Sequence, residues 1–308
     1  MNRSEDFSRA VSYIETHLGE KPDYTVIAAQ AFSSVYHFQR VFSILAGCTL
    51  GEYIRARRMS LAGAALAADK CRVLDTALKY GYDSPDSFAK AFQKFHGILP
   101  SDARTEGARL KYFPRLCITE TKGSTTPMNF RIENKPELIL TGYHRRFSGV
   151  PGERREQEID FYTHTRALQY MLNGMSSHPE TMYNITMNIS DDGFDFWIAQ
   201  ALSPKIRDRM HEDCVLGDPY ANAYENLVIP ARTYAVFETE RCIYPTECFL
   251  GLRRRIVTEW LPDSRMQFAD APEITVSHWY PAPHKEERYY ELWIPVEPIK
   301  QEVCPTIG

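Results

Sequence analysis

Apolar residues in the first part of the chain recur at helical spacing. In residues 6–19 they fall at i, i+4, i+7 and i+11, as Phe7, Val11, Ile14 and Leu18. Residues 49–52 form a capping box, and Ser84 precedes a first-turn proline. No run of alternating β-branched residues interrupts this pattern. It predicts an all-helical domain over residues 1–107.

A unit of short helix, turn and longer helix occurs twice, at residues 25–46 and 73–96. Both copies carry the motif Phe-x-[Arg/Lys]-x-Phe, as residues 38–42 and 88–92. An internal repeat of this kind is typical of a duplicated structural unit. In a helix-turn-helix the second helix enters the major groove of DNA. The repeat therefore indicates two reading helices in one chain.

The apolar period changes to two beyond residue 128. The small, polar stretch at residues 122–127 is typical of a linker, which we place at 108–127. Residues 128–300 are predicted to form an α+β domain with an antiparallel sheet and a duplicated strand-helix-strand-strand unit. Residues 203–227 are expected to be a loop with a short helix. The candidate strands are 129–133, 138–147, 182–190, 194–202, 228–240, 272–280 and 288–297, and the candidate helices are 156–173 and 245–260.

The composition narrows the class of protein. The 308 residues are 44% hydrophobic and 25% charged, which is ordinary for globular domains. We see no apolar run near the roughly 18–20 residues that span a bilayer, and no secretory h-region. The seven cysteines are scattered without a C-x-x-C pair, so we expect a cytoplasmic protein. The net charge of −4 does not by itself indicate nucleic-acid binding.

Residues 7–107 resemble the DNA-binding domain of the AraC/XylS transcription regulators. The matching stretches are residues 37–42 and 53–59 in the first half and 77–92 in the second, together with Gly47 and Gly97. The sequence departs from the family pattern at Phe32 in the first turn. The resemblance implies a double helix-turn-helix that binds two adjacent major grooves of double-stranded DNA, and it makes contact with RNA polymerase an expectation.

The polar face of each reading helix supplies the candidate DNA contacts. Gln39 suits adenine, whereas Arg40 suits guanine or a phosphate. Lys90 and Lys94 are one helical turn apart and suit phosphates. Arg57, between the two copies, is either a phosphate contact or part of a solvated face. On an ordinary helix, any of these residues would simply belong to a solvated polar face. The full candidate set is Ser34, Tyr36, His37, Gln39, Arg40, Arg57, Ser84, Asp86, Ser87, Lys90 and Lys94.

Residues 128–298 resemble the GyrI-like effector-binding domain, which is found fused to such DNA-binding domains in multidrug-responsive regulators. The matching stretches are residues 229–237, a helix through Trp260, and residues 291–296, where a glutamate precedes an apolar strand that ends in Ile-Pro. The duplicated strand-helix-strand-strand order matches as well. The resemblance implies that this domain binds a small-molecule effector that controls the regulator.

Glu291 is an unusual residue for a central strand. Alternation places it on one face with Tyr289 and Trp293. A buried carboxylate is costly without a partner, so one interpretation is an ion pair with an internal Arg or His. The other is an anionic floor beneath aromatic walls, which suits a lipophilic cation. Trp197 and Tyr143 are further candidate walls or, equally, plain core residues.

Other classes of function receive less support. We find no Walker loop, no G-x-S-x-G and no G-x-G-x-x-G, and we expect neither a cofactor nor catalysis. A small-molecule hydrolase with Glu291 as its base, and a module that only sequesters drugs, remain alternatives. Residues 211–214 contain metal-ligating types, but nothing in the sequence completes a metal site.

Overall fold

The computed structural model describes residues 3–69, 71–105, 107–117, 128–215 and 223–299. Its contacts divide the chain into two compact units, which separate between residues 121 and 122. The first is helical and the second contains an antiparallel sheet with flanking helices, which confirms the predicted fold class. The stretch at 122–127 that indicated a linker lies outside the described residues.

The described part of the helical unit contains six α-helices and a 3-10 turn. Of all helices in the described residues, the longest has 20 residues, and none has the length and apolarity that crossing a bilayer requires. The helices are α1 (Arg3–Thr16), α2 (Tyr24–Gln30), α3 (Val35–Ala46), α4 (Leu50–Asp69), α5 (Val73–Lys79) and α6 (Pro85–His96), and the turn is Asp102–Arg104.

The helices begin where their capping residues predict. The backbone N–H of Thr49 donates to Glu52 at 2.8 Å, and the N–H of Glu52 donates back to the Thr49 hydroxyl at 3.3 Å. This exchange is the predicted capping box at the start of α4. Ser34 and Ser84 cap α3 and α6 in the same way, each accepting from the N–H three residues later.

The repeated phenylalanines form the core of each helix-turn-helix. Phe38 and Phe42 of α3 are almost fully buried, and so are Phe88 and Phe92 of α6. The ring centroids of Phe88 and Phe92 are 5.6 Å apart, and those of Phe38 and Phe42 are 6.0 Å apart. These rings fix the inward side of α3 and α6, and on α6 the opposite side is directed outward.

The two turns differ in length and in the residue at one strained position. After α5, Gly81 adopts a left-handed φ of 75°. Phe32 occupies the same position after α2 with φ of 48°. The backbone N–H of the next residue donates back into the preceding helix in both turns, from Tyr82 to the Ala77 carbonyl oxygen and from Ser33 to the Ala28 carbonyl oxygen. One residue fewer then separates Phe32 from α3 than separates Gly81 from α6. The first turn is therefore shorter, and it places a bulky residue where glycine is favoured.

His96 connects α6, α4 and the segment that follows the helices. Its Nε2 lies 2.9 Å from the Met59 carbonyl oxygen, and its Nδ1 accepts from the backbone N–H of Lys111 at 3.1 Å. These contacts require the neutral tautomer with hydrogen on Nε2. Burial lowers the pKa of His96, against the opposing effect of the Met59 hydrogen bond. A position within the predicted linker, Lys111, is thus bonded to the helical unit.

The sheet unit contains nine described strands, all paired antiparallel. The strand order is β1-β6-β9-β8-β3-β4-β2-β5, with β7 against β9. The strands are β1 (Phe130–Lys135), β2 (Leu138–Phe147), β3 (Thr181–Ser190), β4 (Gly193–Gln200), β5 (Glu225–Ile229), β6 (Arg232–Glu238), β7 (Met266–Phe268), β8 (Glu273–His278) and β9 (Tyr289–Pro298). The helices are α7 (Pro151–His164), α8 (Arg166–Met175), α9 (Pro204–Val215), α10 (Thr246–Arg255) and α11 (Leu261–Asp263), with a π-helical turn at Ile256–Trp260.

Several predicted elements of this unit are subdivided in the structure. The strand expected at 228–240 is two strands, β5 and β6, since Pro230 lies between them. The helix expected at 156–173 is interrupted at Thr165. The stretch expected to be mainly loop, 203–227, contains the twelve-residue helix α9 and most of β5 among its described residues.

The two faces of the sheet carry different layers. On one face, Phe161, Leu172 and Met210 from helices α7, α8 and α9 contact the sheet. Trp260 covers Phe237 on the same face, with ring centroids 4.9 Å apart. The opposite face carries Trp197 and Trp293 in a second buried cluster, and we call it the tryptophan face.

We expect Gly81→Ala to lower the free energy of unfolding of the helical unit by about 1–2 kcal/mol, since left-handed φ is unfavourable once a Cβ is present. That Cβ would also lie 2.8 Å from the Gly19 carbonyl oxygen. Phe32→Gly should bring no such loss, because the Phe32 side chain is 68% exposed and glycine adopts the required φ freely. Urea unfolding followed by far-ultraviolet circular dichroism compares the variants. Equal losses in the free energy of unfolding of Gly81→Ala and Phe32→Gly would contradict the role given to left-handed φ.

We also expect the helical unit to lose stability as the pH falls below about 6.5. The folded-state pKa of His96 is depressed, so its contribution is present above the unfolded-state pKa and is lost as the pH falls through the folded-state value. His96→Gln keeps a donor for Met59 and an acceptor for Lys111 but does not titrate, so its stability should vary less with pH. All four tryptophans lie beyond residue 122, so tryptophan fluorescence reports the sheet unit and serves as the internal control. Parallel pH profiles by circular dichroism in both proteins would contradict the role of His96.

Candidate DNA-reading helices and effector face

Helix α6 presents most of its predicted contacts to solvent. Asp86, Ser87, Lys90 and Lys94 are all exposed. Lys90 and Lys94 follow each other along one side of the helix, as their spacing predicts. The helix therefore has an outward polar side with two lysines and a first turn of small polar groups.

Helix α3 presents a less open surface. Ser34 at its start is exposed, whereas Tyr36, His37 and Gln39 are half-buried. Ser34 is also the cap of α3, so one acceptor site of its hydroxyl oxygen is already taken by the backbone N–H of His37. The outward side of α3 is therefore smaller than that of α6.

Arg40 does not lie where the sequence motif suggested. Its side chain is buried, with 3% of the residue exposed. Lys90 holds the equivalent motif position in α6 and is exposed. The prediction that Arg40 reads a base is therefore wrong for this structure, because a buried guanidinium cannot reach a base edge. Periodicity placed Arg40 opposite the phenylalanines and gave no indication of what packs on its other side.

Arg57 is also an internal residue. Its Nε and Nη2 donate to the Glu15 carboxylate at 2.9 and 2.8 Å, and its Nη1 donates to the Phe113 carbonyl oxygen at 2.6 Å. Burial opposes the charge of Glu15, but hydrogen bonds from Arg57 and Tyr53 keep the pKa of Glu15 below its usual range. Arg57 thus ties α4 to α1 and to the segment after α6. Both open alternatives, a phosphate contact and a solvated face, are replaced by a buried ion pair.

Strand register brings four of the five predicted effector residues to the tryptophan face. Trp293 pairs with Ile274, Ile274 with Ile185, and Ile185 with Trp197, so the two tryptophans share a face. Tyr289 and Glu291 join them through the two-residue period of β9.

Tyr143 lies on the opposite face. It pairs with Ile198, one residue away from Trp197 along β4. Its ring is buried against Phe161 of α7, with centroids 5.7 Å apart. Tyr143 is therefore separated from the other four candidates and belongs to the core beneath the helices. Its neighbour His144 lies on the tryptophan face, where its ring stacks on that of Trp197 with centroids 4.3 Å apart.

Glu291 is half-buried and has partners for both carboxylate oxygens. Oε1 accepts from Arg131 Nη2 at 3.1 Å, and Oε2 accepts from the Trp293 indole N–H at 2.7 Å. His278 Nε2 lies 4.0 Å from Oε1. Of the two interpretations of the sequence, the ion pair with an internal arginine is present. Both carboxylate oxygens of Glu291 are thus held by side chains of the protein itself.

Arg131 is the centre of an acidic cluster that the sequence analysis did not identify. Its guanidinium contacts three carboxylates, those of Glu133, Glu238 and Glu291. Glu133 also contacts Lys135. Alternation in β1 places Arg131, Glu133 and Lys135 on one face, but an alternating run of charged residues is ordinarily interpreted as a solvated side of an edge strand. Only the pairing of β1 with β6 shows that this side continues the tryptophan face.

Polar and charged side chains cover the aromatic rings of this face. Lys135 Nζ lies 4.1 Å from the centroid of the Trp293 ring. Tyr289 has His278 stacked on it at 4.2 Å and the Arg241 guanidinium at 4.2 Å from its centroid. Burial lowers the pKa of His278, although Glu291 opposes this change. The face therefore combines carboxylates, aromatic rings and cations that belong to the protein itself.

No group of three or more His, Cys, Asp or Glu side chains is arranged to hold a metal in the part of the chain that the structure describes. His211, Glu212 and Asp213 lie on α9, and the Cys214 side chain lies outside the described residues. The sequence stretch 211–214 therefore gains no support as a metal site from the described side chains.

Comparison with known proteins identifies the helical unit. A sequence model of the helix-turn-helix domain family matches residues 27–106. The chain is 40% identical to the transcriptional activator AarP of Providencia stuartii over 99 residues, 32% of this chain and 73% of AarP. It is 31% identical to the regulatory protein SoxS of Salmonella typhimurium over 104 residues, 34% of this chain and 97% of SoxS. The chain belongs to the AraC family of DNA-binding transcription regulators.

Similarity over the rest of the chain is weaker. The regulator Rob of Salmonella typhimurium is 30% identical over 179 residues, which cover 55% of this chain and 61% of Rob. A structure of SAV2435 bound to tetraphenylphosphonium aligns with 55% of this chain and 94% of that protein, at 14% identity and a TM-score of 0.41. The chain thus spans less than two thirds of Rob.

Proposed function

We propose that this protein is a sequence-specific regulator whose affinity for DNA is controlled by a small cationic, aromatic effector bound on the tryptophan face. The observation that supports the DNA half best is the exposed polar side of α6, which is backed by the phenylalanine core. The observation that supports the effector half best is the carboxylate of Glu291 beside the Trp293 ring. In this proposal the sheet unit is a GyrI-like effector domain, as the motif in β9 and the duplicated element order indicate.

Helix α6 is proposed as the main reading helix. Its exposed residues Asp86, Ser87 and Lys90 lie in the half of the helix that enters the major groove in helix-turn-helix proteins. Lys94, one turn further on, suits a phosphate. In α3 the half-buried Gln39 is the remaining candidate for a bidentate bond to adenine. With two reading helices in one chain, a monomer is sufficient for two adjacent grooves. Contact with RNA polymerase stays a prediction.

The effector site is proposed from charge and ring geometry together. Three carboxylates surround Arg131, so the cluster offers more anionic acceptors than this guanidinium neutralises. Tyr183 and Tyr234 flank Trp293 with ring centroids 6.2 and 6.1 Å from it. A cation over an aromatic face is attracted by the ring quadrupole and by nearby carboxylates at once. A lipophilic aromatic cation satisfies both features of this surface.

We expect Lys94→Ala to weaken binding to every DNA sequence alike and to reduce the slope of log affinity against log salt by about 1, as loss of one phosphate contact requires. Gln39→Ala should instead weaken binding to the best sequence by about 1–3 kcal/mol and relax preference at one base pair. Fluorescence anisotropy over several salt concentrations, with a duplex selected from a random library, measures both.

Lys21→Ala is the matched control for the DNA experiment, because Lys21 is an exposed lysine of the same unit outside α3 and α6. It should keep both the affinity and the salt slope of the unmodified protein. Arg40→Ala should lower the stability of the helical unit, since Arg40 is buried. A relaxed base preference in a fully stable Arg40→Ala protein would contradict the placement of α3.

We expect Glu291→Gln to weaken binding of phenyltrimethylammonium by about 1–3 kcal/mol, the scale of a hydrogen bond or contact to a charged group. Binding of tert-butylbenzene, a neutral molecule of the same shape, should change little. The variant should also lose about 1 kcal/mol of stability, because Arg131 is partly exposed and keeps two other carboxylates. Calorimetric titration and thermal melting of the full chain give the two quantities.

Glu286→Gln is the matched control, because Glu286 is exposed in the turn before β9. A loss of stability in Glu291→Gln with unchanged preference for the cation would assign Glu291 a structural role only. Anisotropy with and without the cation then tests regulation. If the protein binds the cation and its affinity for DNA does not change, the sheet unit is a sequestering module.

A further inference from the structure

We propose that Lys135 is a tethered ligand of the effector site: its ammonium occupies the ring face of Trp293 that an incoming cation takes, so effector and Lys135 compete. This inference rests on the proposed effector site and adds a determinant of its specificity. In this view the Lys135 ammonium already occupies the cation position over the Trp293 ring, and the effector displaces it.

The geometry around Trp293 supports occupancy of its ring face by the Lys135 ammonium. Lys135 Nζ lies 4.1 Å from the ring centroid, well within the roughly 6 Å over which a cation–π attraction acts. The Lys135 side chain is only 18% exposed, and Trp293 is 7% exposed. The other two rings near Trp293, Tyr183 and Tyr234, meet it at 83° and 57°, so neither lies parallel over its face.

Glu133 holds Lys135 in this position. Its carboxylate contacts both Lys135 and Arg131, which in turn contacts Glu291. The carboxylates that would attract an effector thus also retain the internal ammonium. Hydrogen bonds from Lys135 and Arg131 keep the pKa of Glu133 below its usual range, so this anchor stays charged at neutral pH.

The position of Lys135 in the sheet makes its displacement feasible. It is the last residue of β1, and β1 is the terminal strand of the order, paired with β6 alone among the described strands. A side chain at the end of an edge strand has a neighbouring strand on one side only, so it can rotate into solvent. Trp293, by contrast, lies on β9 between β6 and β8.

Competition with a lysine selects the chemical class of the effector. A primary ammonium is a compact, strongly hydrated charge, so Lys135 regains much hydration when it is released into water. An entering cation loses its own hydration. The exchange is therefore most favourable for cations with weakly hydrated, shielded or delocalised charge. Quaternary ammonium, phosphonium and aromatic dye cations fit this description, whereas small primary amines do not.

The test compares Lys135→Ala with the unmodified protein by calorimetric titration of the full chain. Removing the competitor should raise the affinity for phenyltrimethylammonium about 2- to 30-fold, the range that corresponds to one cation–π contact. The affinity for tert-butylbenzene should rise as well, because the ring face is vacated. Lys135→Arg should show no gain, since a guanidinium stacks on the same ring. Lys285→Ala, at an exposed lysine before β9, should behave as the unmodified protein.

A readout in the unmodified protein does not depend on any variant folding. Saturation with phenyltrimethylammonium should increase the rate at which acetic anhydride acetylates Lys135, measured by mass spectrometry against Lys285. An unchanged or lower rate would show that the cation binds without displacing Lys135, and would overturn the proposal.

The remaining outcomes separate this inference from the effector site itself. If Glu291→Gln weakens cation binding but Lys135→Ala leaves both affinities unchanged, the effector site stands and the tethered ligand does not. If Lys135→Ala gains affinity for the cation alone, Lys135 acts through its charge and not by occupying the ring. If neither the unmodified protein nor Lys135→Ala binds the cation, both proposals fail.

Discussion

The free-energy cost of removing a charged group from water organises both units of this protein. A buried guanidinium is tolerated only where carboxylates and carbonyl oxygens replace its hydration. In the helical unit this requirement places Glu15 of α1 and the Phe113 carbonyl around Arg57. In the sheet unit three carboxylates surround the guanidinium of the partly exposed Arg131. Each network joins segments far apart in sequence, so each fixes where neighbouring elements lie.

Burial also differs between equivalent polar residues of the two copies in the helical unit. The two copies of the repeat are alike in motif, yet Arg40 is buried and its counterpart Lys90 is exposed. The first copy also has the shorter turn, with Phe32 at the position of Gly81. A sequence repeat has therefore become two structurally unequal helices. In the proposed function α6 presents the larger reading surface, and α3 contributes Gln39 and its flanks.

In the proposed effector site of the sheet unit, the atoms that satisfy charge are also the atoms that would contact the ligand. Glu291 accepts from Arg131 and Trp293, while Lys135 lies over the Trp293 ring. A site whose charged groups already have internal partners gives a ligand only the difference between its own interactions and those that it displaces. Specificity then depends on hydration as much as on shape, which is how a wide range of weakly hydrated cations would be accepted and small hydrated ones refused.

The sequence by itself determined the local features of the chain. Hydrophobic period separated a helical part from a sheet part, and capping residues placed the starts of α4 and α6, because these signals depend on neighbours within one turn or one strand. Two-residue alternation likewise put Glu291 and Trp293 on one face. The tertiary structure decided the rest. Arg57 is interior because Glu15 and Phe113, both distant in sequence, surround it, and Tyr143 faces the helices because pairing of β2 with β4 fixes its side. Lys135 lies near Trp293 only because β6 pairs with both of their strands, β1 and β9. Burial and cross-strand proximity are properties of pairs of segments, so no pattern within a single segment encodes them.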